Sequence, residues 1–417
     1  MYLDNATIDR WGYNESLALC SEIRDNFDAI TYPKGVELAG HPNGTLGDID
    51  GDPKVTLLII DDEVYEGGYY AYDDYSIATW NTHPNNREMI YIYTGENPDS
   101  ICYSSILAHE FNHLIWENTD TNGDMTTIRE GYADYAMYYS GYLSLENSWS
   151  SKNSLNRTRF TDNFSAHPEQ SLLSFDYETD DISCANYGKA QMFIFYLSEK
   201  YGEELINDLI KIAIDGPVGI EIALANAGYD INFNNLYLDW ITACTIDEED
   251  IENGIYGFDN TDFTISKITT IDTLPFTEED VKHLKYGFDV KKLINPPNEF
   301  TLEIANPYPL SIGISSAIYD DNGWSIAQTL NSEENGETII SHFTGENIEF
   351  AYIITSLMSP ETPTTYASGY TEKSSSKQLS YSFMKGHKRA SYNFLSFSIL
   401  LIFLSTMIVI VRRRKRN

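Results

Sequence analysis

The residues with the most chemical content lie in SSILAHEFNHLIWE, residues 104–117. His109 and His113 stand four positions apart, and on a helix that spacing puts both imidazoles on one face, where they can share an ion. Glu110, one position on and rotated by about 100°, can reach a water on the open side of that ion. Neutral imidazole suits zinc, and a carboxylate beside an activated water can take its proton during attack on a carbonyl. The segment therefore predicts a zinc-dependent hydrolytic centre.

A third protein ligand must come from another element. Glu117 continues the same face but lies about 12 Å along the axis from His109, too far to converge on one ion. The longer HExxHxxGxxH pattern fails as well, because Trp116 and Thr119 occupy the positions of its Gly and third His. The segment TTIREGYADYAMYY, residues 126–139, offers Glu130 and Asp134 four apart on a second predicted helix, after a short loop containing Gly123. Helices joined by so short a connection lie against each other, so Glu130 can complete a His₂Glu site with the fourth position left to water. Asp134, one turn on, can accept a hydrogen bond from the far nitrogen of a ligand histidine and fix its tautomer. The plain alternative for both acids is a solvated face.

The elements that must carry these residues are legible by pattern. Residues 14–28 read as an amphipathic helix, 55–60 as a buried strand and 89–93 as a second strand. Helices are predicted over 100–117, 126–139, 187–202, 203–214, 218–228 and 232–245. Residues 144–183 lack a clear period and read as a long surface excursion. From about residue 260 the pattern changes to short alternating strands, FTISKI, FTLEIA, SIGISSAIY, TIISHF and IEFAYIIT, which predicts a β-sandwich. The Ser/Thr/Lys-rich residues 371–391 read as a linker.

Composition narrows the setting. The chain has 417 residues and a formal charge of −36; its last 33 residues hold eight Lys/Arg and no acid, leaving −44 on residues 1–384. A body so acidic will not bind nucleic acid through phosphates. Residues Phe394–Val411 carry no charge and precede Arg412, Arg413, Arg414, Lys415 and Arg416, which predicts a transmembrane helix over 392–411, a basic cytoplasmic tail over 412–417 and a single-pass membrane protein with its body outside. Lys385, Lys388 and Arg389 on the other flank weaken that orientation, and MYLDNATIDRW has no basic and apolar signal region. The expectation is therefore either a start upstream of Met1 or a tail-anchored protein facing the cytosol; sequons at Asn5, Asn14, Asn43, Asn156 and Asn163 favour the outside. Four dispersed cysteines exclude a zinc ribbon and leave open one or two disulfides or four free thiols.

HExxH followed some sixteen residues later by ExxxD resembles the glutamate-zincin arrangement of thermolysin-like peptidases. With GDIDGDPKVTLLIID, GGYY and EMIYI before it, the segment pair AHEFNHLIWE and REGYADYA is similar, over roughly residues 12–245, to the hyicolysin-type neutral zinc metallopeptidases. That resemblance implies zinc on His109, His113 and Glu130, Glu110 as general base and then acid, and Asp134 behind His109. It also implies that Met89–Tyr93 is the sheet edge that pairs with an extended polypeptide substrate. Tyr187 stands where related zincins carry a tyrosine after the glutamate helix, and is the expected oxyanion donor; His167, His83 and Arg129 are weaker candidates. Where the family loop reads GD(V/I)DGDGK, Pro53 replaces a Gly, so calcium at Asp48, Asp50 and Asp52 competes with a simple acidic turn.

The expected fold class is α+β. A zincin-like peptidase domain, with a small mixed sheet, active-site helices and a helical subdomain, covers 1–250, and the β-sandwich covers 255–370. The expected activity is endopeptidase. An aminopeptidase is the nearer alternative, although the GxMEN segment that would hold a free amine is absent. A catalytically inactive surface adhesin is the other.

Overall fold

The fold is organised around one buried helix. In the computed structural model, which describes residues 1–42, 50–61, 67–70, 85–94, 100–120, 125–143, 158–177, 179–281, 284–305, 311–332, 338–358 and 370–375, Ser100–Thr119 forms a 20-residue helix without Gly or Pro. It is buried nearly all round, from Cys102 to Trp116. A helix that is apolar on every side has to be enclosed by other elements.

Those elements come from both directions along the chain. The helices are α1 (Asn5–Trp11), α2 (Tyr13–Asn26), α3 (Tyr32–Ala39), α4 (the buried Ser100–Thr119), α5 (Thr126–Tyr139), α6 (Thr158–Ala166), α7 (Asp180–Tyr201), α8 (Glu203–Leu209), α9 (Gly216–Asn226) and α10 (Phe233–Ile246). Side-chain caps set several starts: Asp4, Thr179 and Asn232 accept from the backbone N–H of Thr7, Ile182 and Asn235, opening α1, α7 and α10. A π-turn, Phe27–Thr31, links α2 to α3 and places Phe27 edge-on to Phe111 of α4.

A four-stranded sheet packs beside α4. Its strands are β1 (Tyr2–Leu3), β2 (Thr56–Asp61), β3 (Gly67–Tyr70) and β4 (Met89–Thr94), in the order β1-β2-β4-β3. β1 and β4 run parallel to β2, and β3 runs antiparallel to β4. The sheet edge beside α4 is therefore β3. The expected edge, Met89–Tyr93, lies inside the sheet, with Ile90 and Ile92 fully buried. Its continuous apolar pattern is that of a strand paired on both sides, whereas the two glycines and two tyrosines of β3 give a weaker strand signal.

α5 is held between α4 and α7. A Cβ at Gly131 would overlap the Ala190 carbonyl oxygen of α7 and stand 2.7 Å from Ile194 Cγ1. Glycine there lets the two backbones approach, with Glu130 on the preceding residue. Trp116 of α4 meets Tyr132 of α5 edge-on at 4.8 Å, and the Tyr132 hydroxyl donates to the Leu38 carbonyl at 3.2 Å. Arg129 of α5 pairs with Glu117 of α4, fixing the relative rotation of the two helices.

Beyond Ile246 the chain builds two sheets. One holds β5 (Thr269–Ile271), β7 (Phe288–Ile294), β9 (Ser311–Asp320), β10 (Gly323–Ser332) and β12 (Phe350–Leu357), in the order β10-β9-β12-β7-β5. The other holds β6 (Thr277–Val281), β8 (Glu299–Ala305), β11 (Thr338–Thr344) and β13 (Tyr370–Ser375), in the order β11-β8-β13-β6. Leu293, Ile312, Ile314 and Ile353 from the first sheet share an apolar cluster with Phe300, Leu302, Ile304 and Phe343 from the second. α10 packs on the five-stranded sheet, where Trp240 meets Phe288 and Thr242 Oγ1 lies 2.6 Å from Ser315 Oγ. The chain is thus mixed α and β, with α1–α10 and a four-stranded sheet before residue 250 and two further sheets after it.

Three local expectations fail. Within residues 144–183, Thr158–Ala166 is a helix, and Phe164 is fully buried, stacked on Trp240 at 5.7 Å and on Phe263 at 5.4 Å. Its Thr, Asp, Asn and Ser residues lower helix propensity, and the aromatic packing overrides them. FTISKI is not a strand: Ile265 N–H donates to the Cys244 carbonyl and Ser266 N–H to that of Ser165, tying the segment to helix ends. Tyr370–Ser375, assigned in part to the linker, is a strand paired with β8 on one side and β6 on the other. A strand with polar side chains has the composition of a linker; pairing distinguishes it.

The four cysteines are free, with Cys20 half-buried and Cys102, Cys184 and Cys244 buried. Among the described residues no helix is long and apolar enough to cross a membrane. The run Phe394–Val411 lies outside them.

Candidate metal centre

α4 and α5 bring three ligand atoms together. His109 Nε2 and His113 Nε2 are 3.0 Å apart, and Glu130 Oε2 lies 3.2 Å from the first and 3.5 Å from the second. The two rings stand nearly perpendicular, at 83°. Among the described residues this is the group of His, Cys, Asp and Glu able to hold a metal ion. A tetrahedral ion with ligands near 2.0–2.1 Å separates them by about 3.3 Å, which is the size of this triangle.

The hydrogen bonding agrees with that use. Asp134 Oδ1, on a fully buried side chain, lies 2.9 Å from His109 Nδ1. With the Nδ1 proton given to Asp134, His109 Nε2 presents its lone pair to the other ligand atoms. His109 and His113 are 7% and 8% exposed and Glu110 8%, so the group is largely shielded from solvent.

The charge balance also asks for a cation. Burial alone would lower the pKa of His109, but hydrogen bonds and the field of Asp134, Glu130 and Glu110 outweigh it and raise it to about 10. Burial would raise Glu130, yet His113 and His109 hold it well below the usual carboxylate range. Three carboxylates around two imidazoles in a buried pocket therefore take up positive charge strongly. A divalent ion held by His109, His113 and Glu130 would supply that charge.

Gly68 of β3 borders the centre: a Cβ placed on it would overlap Glu110 Cγ and stand 2.5 Å from Ile106 Cγ2. The antiparallel edge strand thus runs directly over the Glu110 side chain. Tyr177 is exposed and within electrostatic reach of Glu130 and Arg129. Burial raises the pKa of its phenol, and so does the negative charge of Glu130, while Arg129 opposes it. Its ring meets Phe175 at 5.0 Å.

Other expected residues have neighbours of their own. Tyr187 is half-buried in an aromatic stack, 5.2 Å from Phe160 and 4.9 Å from Phe175. Arg129 is engaged with Glu117, and His167 with Glu169 at 3.2 Å. Asp50 accepts from the Asp52 N–H at 2.8 Å and lies 3.7 Å from Arg87, while Asp52 lies 3.4 Å from Lys54. These two carboxylates are thus met by the chain's own cations. Asp48 and His83 lie outside the described residues. Tyr177 was not singled out by sequence; its tyrosine type was the available signal, diluted among 31 tyrosines.

No family model and no curated protein matches this chain. Among solved structures, the pre-peptidase C-terminal domain of a collagenase from Bacillus anthracis aligns with 27% of this chain and 93% of its own length, at 16% identity and a TM-score of 0.19. A 4-O-methyl-α-glucuronidase of family GH115 aligns with 78% of this chain and 54% of its own, at 10% identity and a TM-score of 0.15. At these scores neither likeness bears on fold or function.

Proposed function

We propose that this chain is a zinc-dependent endopeptidase of the glutamate-zincin type, with a zincin-like domain formed by α1–α10 and the four-stranded sheet. The observation that carries the reading is the triangle of His109 Nε2, His113 Nε2 and Glu130 Oε2, with sides of 3.0–3.5 Å and Glu110 beside it. Bound there, zinc would polarise a substrate carbonyl and acidify water.

The chain's own residues supply the remaining chemistry. β3 is the edge at which an extended polypeptide pairs by backbone hydrogen bonds, laying its scissile bond across Glu110. Glu110 takes a proton from the attacking water and returns it to the leaving nitrogen. Asp134 holds His109 in the tautomer that faces the ion. Tyr187, or Tyr177, whose phenol feels the charge of Glu130, is the donor to the developing oxyanion in this reading. The apolar run Phe394–Val411 and its basic flank support a membrane tether with the catalytic domain outside.

Elemental analysis and casein cleavage by the purified chain test the proposal together. One zinc per chain and proteolysis abolished by chelator and restored by zinc are expected. An active protein with no bound metal, or a zinc-loaded protein that cleaves no peptide, defeats it.

A further inference from the structure

Two consecutive glycines, Gly67 and Gly68, open a four-residue edge strand. Glycine weakens a strand interior, so its presence there commonly marks a close backbone approach. At Gly68 the approach is specific. A methyl group would overlap Glu110 Cγ and lie 2.5 Å from Ile106 Cγ2 and 2.8 Å from Glu110 Oε1, where carbon contacts settle near 3.5–4.0 Å. Gly68 pairs with Ile92 of β4, whose side chain is 1% exposed, so the strand cannot retreat without breaking a buried sheet contact. Glu110, one turn after Ile106 on α4, is equally fixed at its backbone. What can yield is the Glu110 side chain itself.

We propose that Gly68 is a positioning residue: its bare backbone lies flush on Glu110 and forms the wall that sets where the carboxylate points. This rests on the peptidase reading, in which Glu110 is the base. In that reading the strand that receives the substrate and the group that moves the proton are in van der Waals contact. Peptide pairing along β3 then stiffens the wall behind Glu110, so substrate binding and base placement act through one residue. Any side chain at position 68 drives the carboxylate off its position while leaving the three ligands on α4 and α5 in place.

The test is Gly68→Ala in the full chain, with three readouts: zinc content, steady-state kinetics on a fluorogenic peptide, and a crystal structure of the metal-free variant. Expected are unchanged zinc per chain, KM within about threefold and kcat down by about 10²-fold, the cost typical of a misplacement near 1 Å. In the crystal structure the Glu110 carboxylate is rotated away while His109, His113 and Glu130 keep their triangle. Glu110 in its original position with wild-type kcat overturns the proposal, as does loss of zinc in parallel with kcat. Gly68→Ala/Ile106→Ala removes the second overlap and protects folding; kcat stays low if Glu110 is the affected group, and full recovery would assign the defect to Ile106 packing. A wild-type chain that binds zinc and cleaves nothing would defeat the peptidase reading, while the Glu110 position in the variant would still decide the role of Gly68.

Discussion

Two of the places in the helical core that bury ionisable groups do so in opposite ways. At the candidate metal centre, His109 is surrounded by carboxylates, and its positive form is favoured in spite of burial. On α7, Lys189 is 1% exposed, donates to Asn186 Oδ1 at 2.8 Å and feels only the distant charge of Glu169, so burial lowers its pKa to about 7. The first site has excess negative charge around a triangle of three ligand atoms; the second has a single cation with a neutral partner. Buried charge alone is no mark of function. Convergence of ligand atoms, with the outer nitrogen of His109 already committed to Asp134, is what separates a site from a tolerated burial.

The comparison is broken most sharply at Glu110. Glu110→Gln is expected to keep zinc and lose about 10²–10⁴-fold in kcat/KM, measured beside metal content on the same preparation. If it cleaves peptides at the wild-type rate, the carboxylate cluster has no base and resembles the lysine site more than an active one. Asp134→Asn is next, with a 10–100-fold loss of zinc affinity in competition with a chromophoric chelator. An unchanged affinity would make Asp134 a mere buried acid.

Metal should also reveal itself in stability. Zinc at about 1,000 times its dissociation constant adds about 4 kcal/mol to unfolding, provided it binds the native state alone. Denaturant melts with and without chelator measure this, and coincident curves would remove the metal from the argument. The lysine site sets the smallest effect. The folded pKa of Lys189, about 7, lies below the ordinary 10.5, so the native state binds fewer protons than the unfolded state between those values. The cost of burying it is therefore greatest below pH 7 and fades as pH rises toward 10.5. Lys189→Met is expected to stabilise the chain by roughly 2 kcal/mol near pH 7, less as pH rises, in urea melts across that range. Destabilisation at every pH would mean that Lys189 holds a contact its pKa does not reveal.

Much of this was readable before any coordinates. Spacing alone put His109, Glu110 and His113 on one helix, and Glu130 and Asp134 on the next, because helical periodicity is a local property. The helices over 100–119 and 126–139 and the strands near 56–61 and 89–94 carried strong apolar patterns for the same reason. The helix at Thr158–Ala166 and the strand at Tyr370–Ser375 did not, since their stability comes from aromatic packing and from neighbouring strands rather than from their own composition.

What only the tertiary structure decided are the relations between segments distant in sequence. No local pattern states that β3 rather than β4 forms the edge, that Gly68 rests on Glu110, or that Tyr187 packs between Phe160 and Phe175. Strand order and loop placement are set by which surfaces exclude water together, a property of the whole core. The ligand types follow from the chain's chemistry, residue by residue. Their distances follow from α4 and α5 being locked face to face by the Trp116–Tyr132 contact and the Arg129–Glu117 pair, with Gly131 seating α5 on α7.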